Sequence, residues 1–152
     1  MKYAKKRRPR IGKALHRIGK DGNPVKERHI NVLLLRAQCP ICYSESRRHS
    51  KRVRRLFEIG LSCETDLMVH HGMYYCPTCN KHFPMCPETI APKHSGYTAR
   101  VIRAAIDLVE SGSTYAKAAE TMYKKYFVDV SHASIHEWKL AKDTKALETC
   151  GA

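Results

Sequence analysis

Long apolar runs are missing from this sequence of 152 residues. The longest near its start is the four-residue run Val-Leu-Leu-Leu at 32–35, whereas a membrane-crossing helix needs about 18–20 apolar residues. The first residues are charged and include no apolar segment of the length that a secretory signal needs. We therefore expect neither a membrane-spanning helix nor export, and we expect a cytoplasmic protein.

Acidic residues are also scarce, because 14 Asp and Glu stand against 28 Lys and Arg and leave a formal net charge of +14. A small protein with this charge usually binds a polyanion, most often nucleic acid. The excess is uneven: residues 1–36 carry a net +10, residues 37–96 a net +3 and residues 97–152 a net +1. The distribution predicts a basic, flexible arm over residues 1–36 and an association with the nucleoid. A merely well-solvated surface is the alternative.

The number of cysteines, seven, is odd, and we expect no export signal. Both points favour a reducing compartment over a disulfide framework. Four of them form two C-x2-C pairs separated by 33 residues: Cys39, Cys42, Cys76 and Cys79. Each two-residue spacer lets one turn present two sulfurs to the same ion, and two turns complete the tetrahedral set that zinc prefers. The pattern predicts a closed, structural Zn²⁺ site that supplies a large share of the folding free energy.

Other interpretations of the cysteines stay open. Either C-x2-C pair is alternatively a redox dithiol. His82 and Cys86 lie close enough in sequence to the second pair to replace one of its members as a ligand. Cys63 and Cys150 have no assigned role.

The hydrophobic pattern changes along the chain from strand-like to helical, which predicts an α+β protein. Residues 29–42 are expected to run as a short buried strand into the first cysteine pair, and residues 37–86 to form a small β zinc ribbon. Residues 87–96 carry several prolines and are expected to be a linker. Apolar residues at helical spacing predict a three-helix helix-turn-helix domain over residues 97–144, followed by a tail at 145–152.

The third predicted helix begins at Ser131 and continues to about Lys142. Because each helical residue turns about 100°, Ile135 and Trp138 share one face and would anchor the helix to its neighbours. Candidates for contact with DNA lie elsewhere on the helix: His132, Ser134, His136, Glu137 and Lys139. Such side chains contact base edges and phosphates when the helix occupies a major groove. A solvated face of a three-helix core is the alternative.

A basic stretch follows the first cysteine pair, with six Lys and Arg among nine residues: Arg47, Arg48, Lys51, Arg52, Arg54 and Arg55. On a strand or hairpin these side chains would lie along one edge of the ribbon. Cations at this density suit phosphate contacts, which position a protein on nucleic acid without recognising its sequence. A merely solvated hairpin is again the alternative.

The order of these parts resembles the N-terminal region of bacterial and archaeal insertion-sequence transposases, in which a zinc ribbon and a helix-turn-helix precede a DDE nuclease domain. The resemblance covers about residues 37–142 and rests on the motifs CPIC, YYCPTCNKHF and VSHASIHEW. It implies binding to the terminal repeats of the element. The acids after Gly96 all lie in the helical region or the tail, so none is left for a two-metal carboxylate site on a separate fold. We therefore expect no catalytic residues and no enzymatic activity.

The sequence thus predicts a zinc-dependent DNA-binding protein, either a DNA-binding part of a transposase or an accessory or repressor protein. Double-stranded DNA is the expected partner, together with a catalytic transposase subunit or a second copy of the chain. An RNA-binding or ribosome-associated zinc-ribbon protein is the main alternative. Another is a protein-interaction adaptor in which a structural zinc ion stabilises the fold.

Overall fold

The computed structural model describes residues 17–150, so the first 16 residues of the predicted arm lie outside the described part. It contains five strands and three helices: β1 (Lys26–Asn31), β2 (Arg36–Gln38), β3 (Glu45–Glu58), β4 (Thr65–Cys76), β5 (Lys81–Met85), α1 (Ala99–Glu110), α2 (Tyr115–Tyr126) and α3 (His132–Cys150). The predicted α+β class is confirmed. None of the three helices is long and apolar enough to cross a membrane.

Strand β4 lies at the centre of the sheet. One of its edges pairs with β3 in antiparallel fashion, from Arg47 opposite Tyr75 to Glu58 opposite Thr65. Strands β1 and β5 share its other edge. Strand β1 pairs in parallel with the first half of β4, and β5 pairs in antiparallel fashion with the second half. Strand β2 adds to the outer edge of β3 beside its start. The sheet therefore brings the ends of β2, β3, β4 and β5 together.

The three helices enclose a core of buried apolar side chains: Val101, Ala105, Ala118, Met122, Val128, Val130 and Ile135. The side chains of Thr98 and Thr114 cap α1 and α2 by accepting a backbone N–H from three residues further on. Ser131 begins α3 in the same way, since its hydroxyl oxygen accepts the N–H of Ser134 at 3.2 Å. The cap at Ser131 agrees with the predicted start of the third helix.

The helices pack directly against the end of the sheet. The rings of Phe57 and Tyr97 stack with their centroids 5.0 Å apart, and Trp138 meets Tyr97 edge-on at 5.1 Å. The backbone N–H of Phe57 donates to Gly96 at 2.9 Å, and the N–H of Thr98 donates back to the Phe57 carbonyl at 3.1 Å. An aromatic contact and two backbone hydrogen bonds therefore join β3 to the helical part.

The predicted linker, residues 87–96, lies on the sheet rather than bridging two separate bodies. Ala91 is buried in a cluster with Leu56, Leu67 and Val69. The guanidinium group of Arg54 donates to two carbonyl oxygens of the segment, those of Pro92 at 2.8 Å and Ser95 at 2.5 Å. The apolar residues between Pro87 and Pro92 hold the segment against the sheet.

Part of the predicted flexible arm also belongs to the sheet, because β1 lies within it. The predicted buried strand over residues 29–42 is interrupted, and Leu34 and Leu35 are 47% and 77% exposed. The chain leaves the sheet there because β5 occupies the rest of that edge of β4. The backbone of Leu34 instead bonds the hydroxyl of Tyr74, which accepts its N–H at 2.9 Å and donates to its carbonyl at 2.8 Å.

Helix α3 is longer than predicted. It was expected to end near Lys142, with a tail over residues 145–152, but it continues to Cys150. As far as Glu148, where the description of side-chain burial ends, the extension buries no apolar residue, which is why hydrophobic periodicity did not indicate it. An ion pair between Lys139 and Asp143, with Nζ and Oδ1 2.6 Å apart, supports the added turns at i, i+4 spacing.

Gly72 in β4 is expected to tolerate no side chain. A Cβ atom there would lie 2.8 Å from ring atoms of Tyr74, and Tyr74 is fully buried and fixed by its two hydrogen bonds to Leu34. We expect Gly72→Ala to lower the free energy of unfolding by about 1–3 kcal/mol, measured by urea denaturation. Gly96→Ala is the matched control, because nothing lies within 4 Å of its Cβ position. Equal stability of the two variants would contradict the prediction.

Candidate metal centre and nucleic-acid interface

Two turns of similar backbone geometry hold the four paired cysteines at one end of the sheet. Residues 39–42 lie between β2 and β3, and residues 76–79 lie between β4 and β5. The residue that follows each pair, Tyr43 or Asn80, has a left-handed backbone with φ of 60° and 54°. Asn adopts this conformation readily whereas Tyr seldom does, so the first turn constrains its backbone more strongly.

The sulfurs of all four cysteines lie within 4.8 Å of one another, and this arrangement could hold a metal ion. Two of the contacts cross between the turns, with Sγ atoms 3.5 Å apart for Cys42 and Cys76 and 3.9 Å apart for Cys39 and Cys79. Backbone N–H groups in each turn donate to a sulfur at 3.4 Å, from Ile41 to Cys39 and from Cys79 to Cys76. The structure therefore brings together the four residues that the spacing predicted.

The electrostatics of these thiols favour a bound cation. Hydrogen bonds from the Ser44 side chain, and then from its backbone, lower the pKa of Cys42 to about 6. The backbone N–H of Cys79 similarly lowers the pKa of Cys76. By contrast, the neighbouring sulfur of Cys42, with partial burial, raises the pKa of Cys79 to about 12. Four thiolates this close repel one another, so full ionisation of the set requires a positive ion among them.

Neither alternative ligand joins the four sulfurs. His82 stacks against Tyr75, with ring centroids 4.9 Å apart. The sulfur of Cys86 accepts a hydrogen bond from Arg54 at 3.7 Å, and the side chain packs beside the apolar cluster of the sheet. Cys63 also lies outside the four-cysteine group, and the side chain of Cys150 is outside the described part.

The six predicted phosphate-binding residues of β3 divide into two groups. Arg47, Arg48, Lys51 and Arg52 occupy the half nearer the cysteines and make no ion pair among the side chains described. No acidic residue lies opposite any of them on β4. Their charge is therefore available to a partner.

The other two arginines of the stretch are engaged within the protein. Arg54 binds carbonyl oxygens of the segment that covers the sheet. Arg55 donates to Asp66 at 2.6 Å and to Glu27 at 3.4 Å. The two arginines therefore hold parts of the fold together. These internal contacts explain their presence better than phosphate binding does.

The predicted DNA-contacting residues of α3 are mostly accessible. His132, His136 and Glu137 are exposed, and the His136 ring meets Tyr115 edge-on with centroids 5.0 Å apart. The hydroxyl of Ser134 contacts that of Ser131 at 2.9 Å as part of the helix cap. The first turns of α3 thus present two imidazoles and a carboxylate to solvent.

Lys139 differs from the other predicted contacts, because its charge is already paired. Its Nζ lies 2.6 Å from Asp143 and 3.7 Å from Glu110, and its side chain is only 20% exposed. The hydrogen bond that Lys139 donates to Asp143 raises the pKa of Lys139, which keeps it charged and engaged within the protein. A phosphate would have to compete with two carboxylates for it.

Sequence reasoning missed a set of buried acids between β1, β3 and β4. Asp66 is fully buried and accepts hydrogen bonds from Arg17 at 2.8–3.2 Å and from Arg55 at 2.6 Å. Glu58 is 2% exposed and accepts from the hydroxyl of Thr98 at 3.0 Å, at the start of α1. The sequence did offer a signal, because acidic residues stand within strand-like segments. An acid that becomes buried there is normally paired with a cation.

Comparison of the chain with models of protein families, with curated proteins and with solved structures found no match.

Proposed function

We propose that this protein binds double-stranded DNA and that a zinc ion held by the four cysteines maintains the fold required for binding. The observation that carries the proposal is the division of the cations on β3. Four of them make no ion pair with a side chain that the structure describes, whereas Arg54 and Arg55 are bound by partners within the protein.

Zinc fits the four sulfurs by distance and by ligand chemistry. Four sulfurs at the corners of a tetrahedron, each about 2.3 Å from a central zinc, would be about 3.8 Å apart. Two of the sulfur pairs are 3.5 Å and 3.9 Å apart, and all four sulfurs lie within 4.8 Å of one another. Thiolates are soft ligands that select zinc over calcium or magnesium, and four of them leave no position for a reacting water. We infer a structural zinc and a ribbon formed by β2, β3, β4 and β5 around it.

The helices support a helix-turn-helix assignment for the remaining part. Residues 127–131 join α2 to α3, and Phe127 ends α2 with a left-handed backbone, φ 56°. Ile135 and Trp138 pack α3 against its neighbours, which leaves its first turns exposed. In this motif the start of the second helix lies in the major groove. His132, His136 and Glu137 are the side chains we assign to base contacts there.

Strand β3 connects the two proposed contact regions. It begins beside the cysteine turns and ends at Glu58, next to the start of α1. Its 14 residues correspond to about 45 Å at about 3.3 Å per residue, which exceeds one turn of B-DNA. One binding site could therefore extend over both regions. Its phosphates would lie beside the four cations of β3 that make no ion pair with a described side chain, and its bases would lie beside α3. We call those four residues the free cations: Arg47, Arg48, Lys51 and Arg52.

Recognition of the ends of an insertion sequence is the specific biological role that we infer, because the transposase-like order of parts agrees with this arrangement. A catalytic transposase subunit or a second copy of the chain would then act with it at the nucleoid. We infer no strand transfer by the described residues.

The salt dependence of duplex binding tests the proposal. For B-DNA, log K falls by about 0.9 per tenfold rise in salt for each phosphate neutralised. We expect the double variant Lys51→Gln and Arg52→Gln to weaken binding and to reduce this slope by up to about 1.8. Fluorescence anisotropy with a labelled duplex, titrated at several salt concentrations, measures both quantities.

The matched control removes the same charge elsewhere. Arg103→Gln with Lys117→Gln alters two exposed cations, one on α1 and one on α2, so neither belongs to β3 or α3. We expect this control to leave the slope unchanged. Duplex affinity that does not respond to salt, or an equal change of slope in both double variants, would rule out the proposed phosphate contacts.

A further inference from the structure

Four side chains form one continuous row across the cysteine end of the sheet. The strand register places Arg36 opposite Arg47, Arg47 opposite Tyr75, and Tyr75 opposite His82. Residues opposite each other in a sheet project from the same face, so two guanidinium groups and two aromatic rings lie side by side. We call this set, Arg36, Arg47, Tyr75 and His82, the aromatic–arginine row.

The row lies on the face opposite the apolar core at this end of the sheet. Tyr74 is buried with Phe83 and the cysteines, whereas its neighbour Tyr75 projects from the other face. Arg36, Arg47 and His82 are exposed, and Tyr75 is half-buried. The fold therefore does not bury the rings of Tyr75 and His82 in a core.

The geometry of the row is set before any ligand binds. The rings of Tyr75 and His82 have centroids 4.9 Å apart, and His49 meets His82 at 4.7 Å. The Tyr75 hydroxyl donates to the side-chain oxygen of Asn80, which fixes the orientation of its ring. Rings held in this way lose little conformational entropy on binding.

A cavity of about 410 Å³ lies along the row and is lined by Arg36, Arg47 and Tyr75, with Glu45 and Pro77. One carboxylate is present, and it pairs with Arg36 at 3.1 Å. Arg47 makes no ion pair among the described side chains. The cavity therefore combines an aromatic wall with an uncompensated cation.

We propose that the aromatic–arginine row binds single-stranded DNA, with unpaired bases stacked on Tyr75 and His82 and their phosphates beside Arg47. Every base has a flat π face, so stacking on aromatic side chains holds single strands with little sequence preference, and a cationic groove follows the backbone. A four-stranded sheet with aromatic side chains accommodates two or three bases in this way. A paired duplex keeps its bases stacked on each other and offers no free face to the row.

This single-strand site uses residues separate from most of the proposed duplex contacts. The duplex is assigned to α3 and to the free cations of β3, of which only Arg47 also belongs to the row. A protein with both sites would hold a duplex that is partly opened. Loss of one activity can consequently be measured while the other remains.

Substitution of both rings tests the proposal. With labelled oligothymidylate as the probe, we expect Tyr75→Ala combined with His82→Ala to reduce affinity by about tenfold or more, since stacking contributes substantially per base. Affinity for a labelled duplex should change by less than about twofold, because the α3 contacts are intact. Tyr75→Phe keeps the ring and should restore most of the single-strand affinity. Zinc content and circular dichroism establish that each variant is folded.

Tyr43→Ala is the matched control, because it removes a tyrosine that is 72% exposed on the first cysteine turn but outside the row. Equal loss of single-strand affinity in this control, or no loss in the double variant, would overturn the proposal. Tighter binding of oligouridylate than of oligothymidylate would assign the row to RNA and overturn the assignment to DNA. Absence of duplex binding in the unaltered protein would contradict the proposed function. The single-strand measurements would still test the aromatic–arginine row, because they use a separate probe.

Discussion

Cys76→Ser is expected to remove bound zinc and to unfold the cysteine end of the sheet. The buried apolar cluster there contains only Ala37, Cys39, Tyr74, Cys76 and Phe83, so two of its five members are themselves proposed ligands. Strands β2 and β5 have three and five residues, and each pairs with a single neighbour. Short edge strands over so small a core need a further source of free energy, which the proposed zinc would supply.

The expected size of the effect follows from metal affinity. Structural zinc bound by several thiolates contributes on the order of 10 kcal/mol of apparent binding free energy at neutral pH. Loss of one sulfur leaves an incomplete set, and most of that contribution is lost with it. We expect the helical part to remain folded in the variant, because its core contains no cysteine.

Two measurements check this prediction. Metal analysis should give one zinc per chain for the unaltered protein and much less for Cys76→Ser. Hydrogen exchange should show lost protection in β2 and β5 and retained protection in α1 and α2. Cys63→Ser is the control, because Cys63 lies outside the sulfur cluster. Equal zinc content and equal protection in the two variants would refute the metal assignment.

The residues that the sequence predicted best are those whose signal is local. Each cysteine pair sits within one turn, and its spacing already indicates what the turn can bind. The starts of α1, α2 and α3 follow from one Ser or Thr and the helical pattern after it. In these cases the information needed lies within a few neighbouring residues, and the structure agrees with it.

The errors arose where structure depends on residues far apart in the chain. Strand β1 has few apolar residues, and its place in the sheet depends on parallel pairing with β4. In the same way, Arg52 and Arg55 look alike in sequence. Only the strand register shows that Arg55 lies near Asp66, whereas Arg52 lies opposite His71. The distinction between structural and available cations could not be made from composition.

Asp66→Ala is expected to be among the most destabilising single substitutions outside the cysteines. Asp66 is fully buried and accepts three hydrogen bonds from two nitrogens of Arg17 as well as one from Arg55. A guanidinium group keeps its proton at neutral pH without any partner, so removal of the carboxylate leaves two positive charges beside the vacated position. Breaking a buried pair by removing one partner leaves uncompensated charge, which costs about 3–5 kcal/mol when burial is complete.

The expected loss is nearer about 2–3 kcal/mol, because the side chains of Arg17 and Arg55 are 28% and 31% exposed and water screens them in part. Urea denaturation at neutral pH measures it. Asp129→Ala is the matched control, since its pair with Lys20 is exposed and 3.8 Å long and should change stability by less than about 0.5 kcal/mol. Similar losses in the two variants would contradict a structural role for Asp66.

The consequences of Asp66→Ala should extend from the sheet to the helices. The guanidinium group of Arg17 lies 4.5 Å from the centre of the Phe57 ring, and that ring stacks on Tyr97 beside Trp138 of α3. Without Asp66, Arg17 loses its hydrogen bonds to that carboxylate and keeps a longer ion pair with Glu64, whose nitrogen and oxygen are 3.7 Å apart. We therefore expect α3 to lose hydrogen-exchange protection in Asp66→Ala but not in Asp129→Ala, because only the first substitution alters the contact between the sheet and the proposed recognition helix.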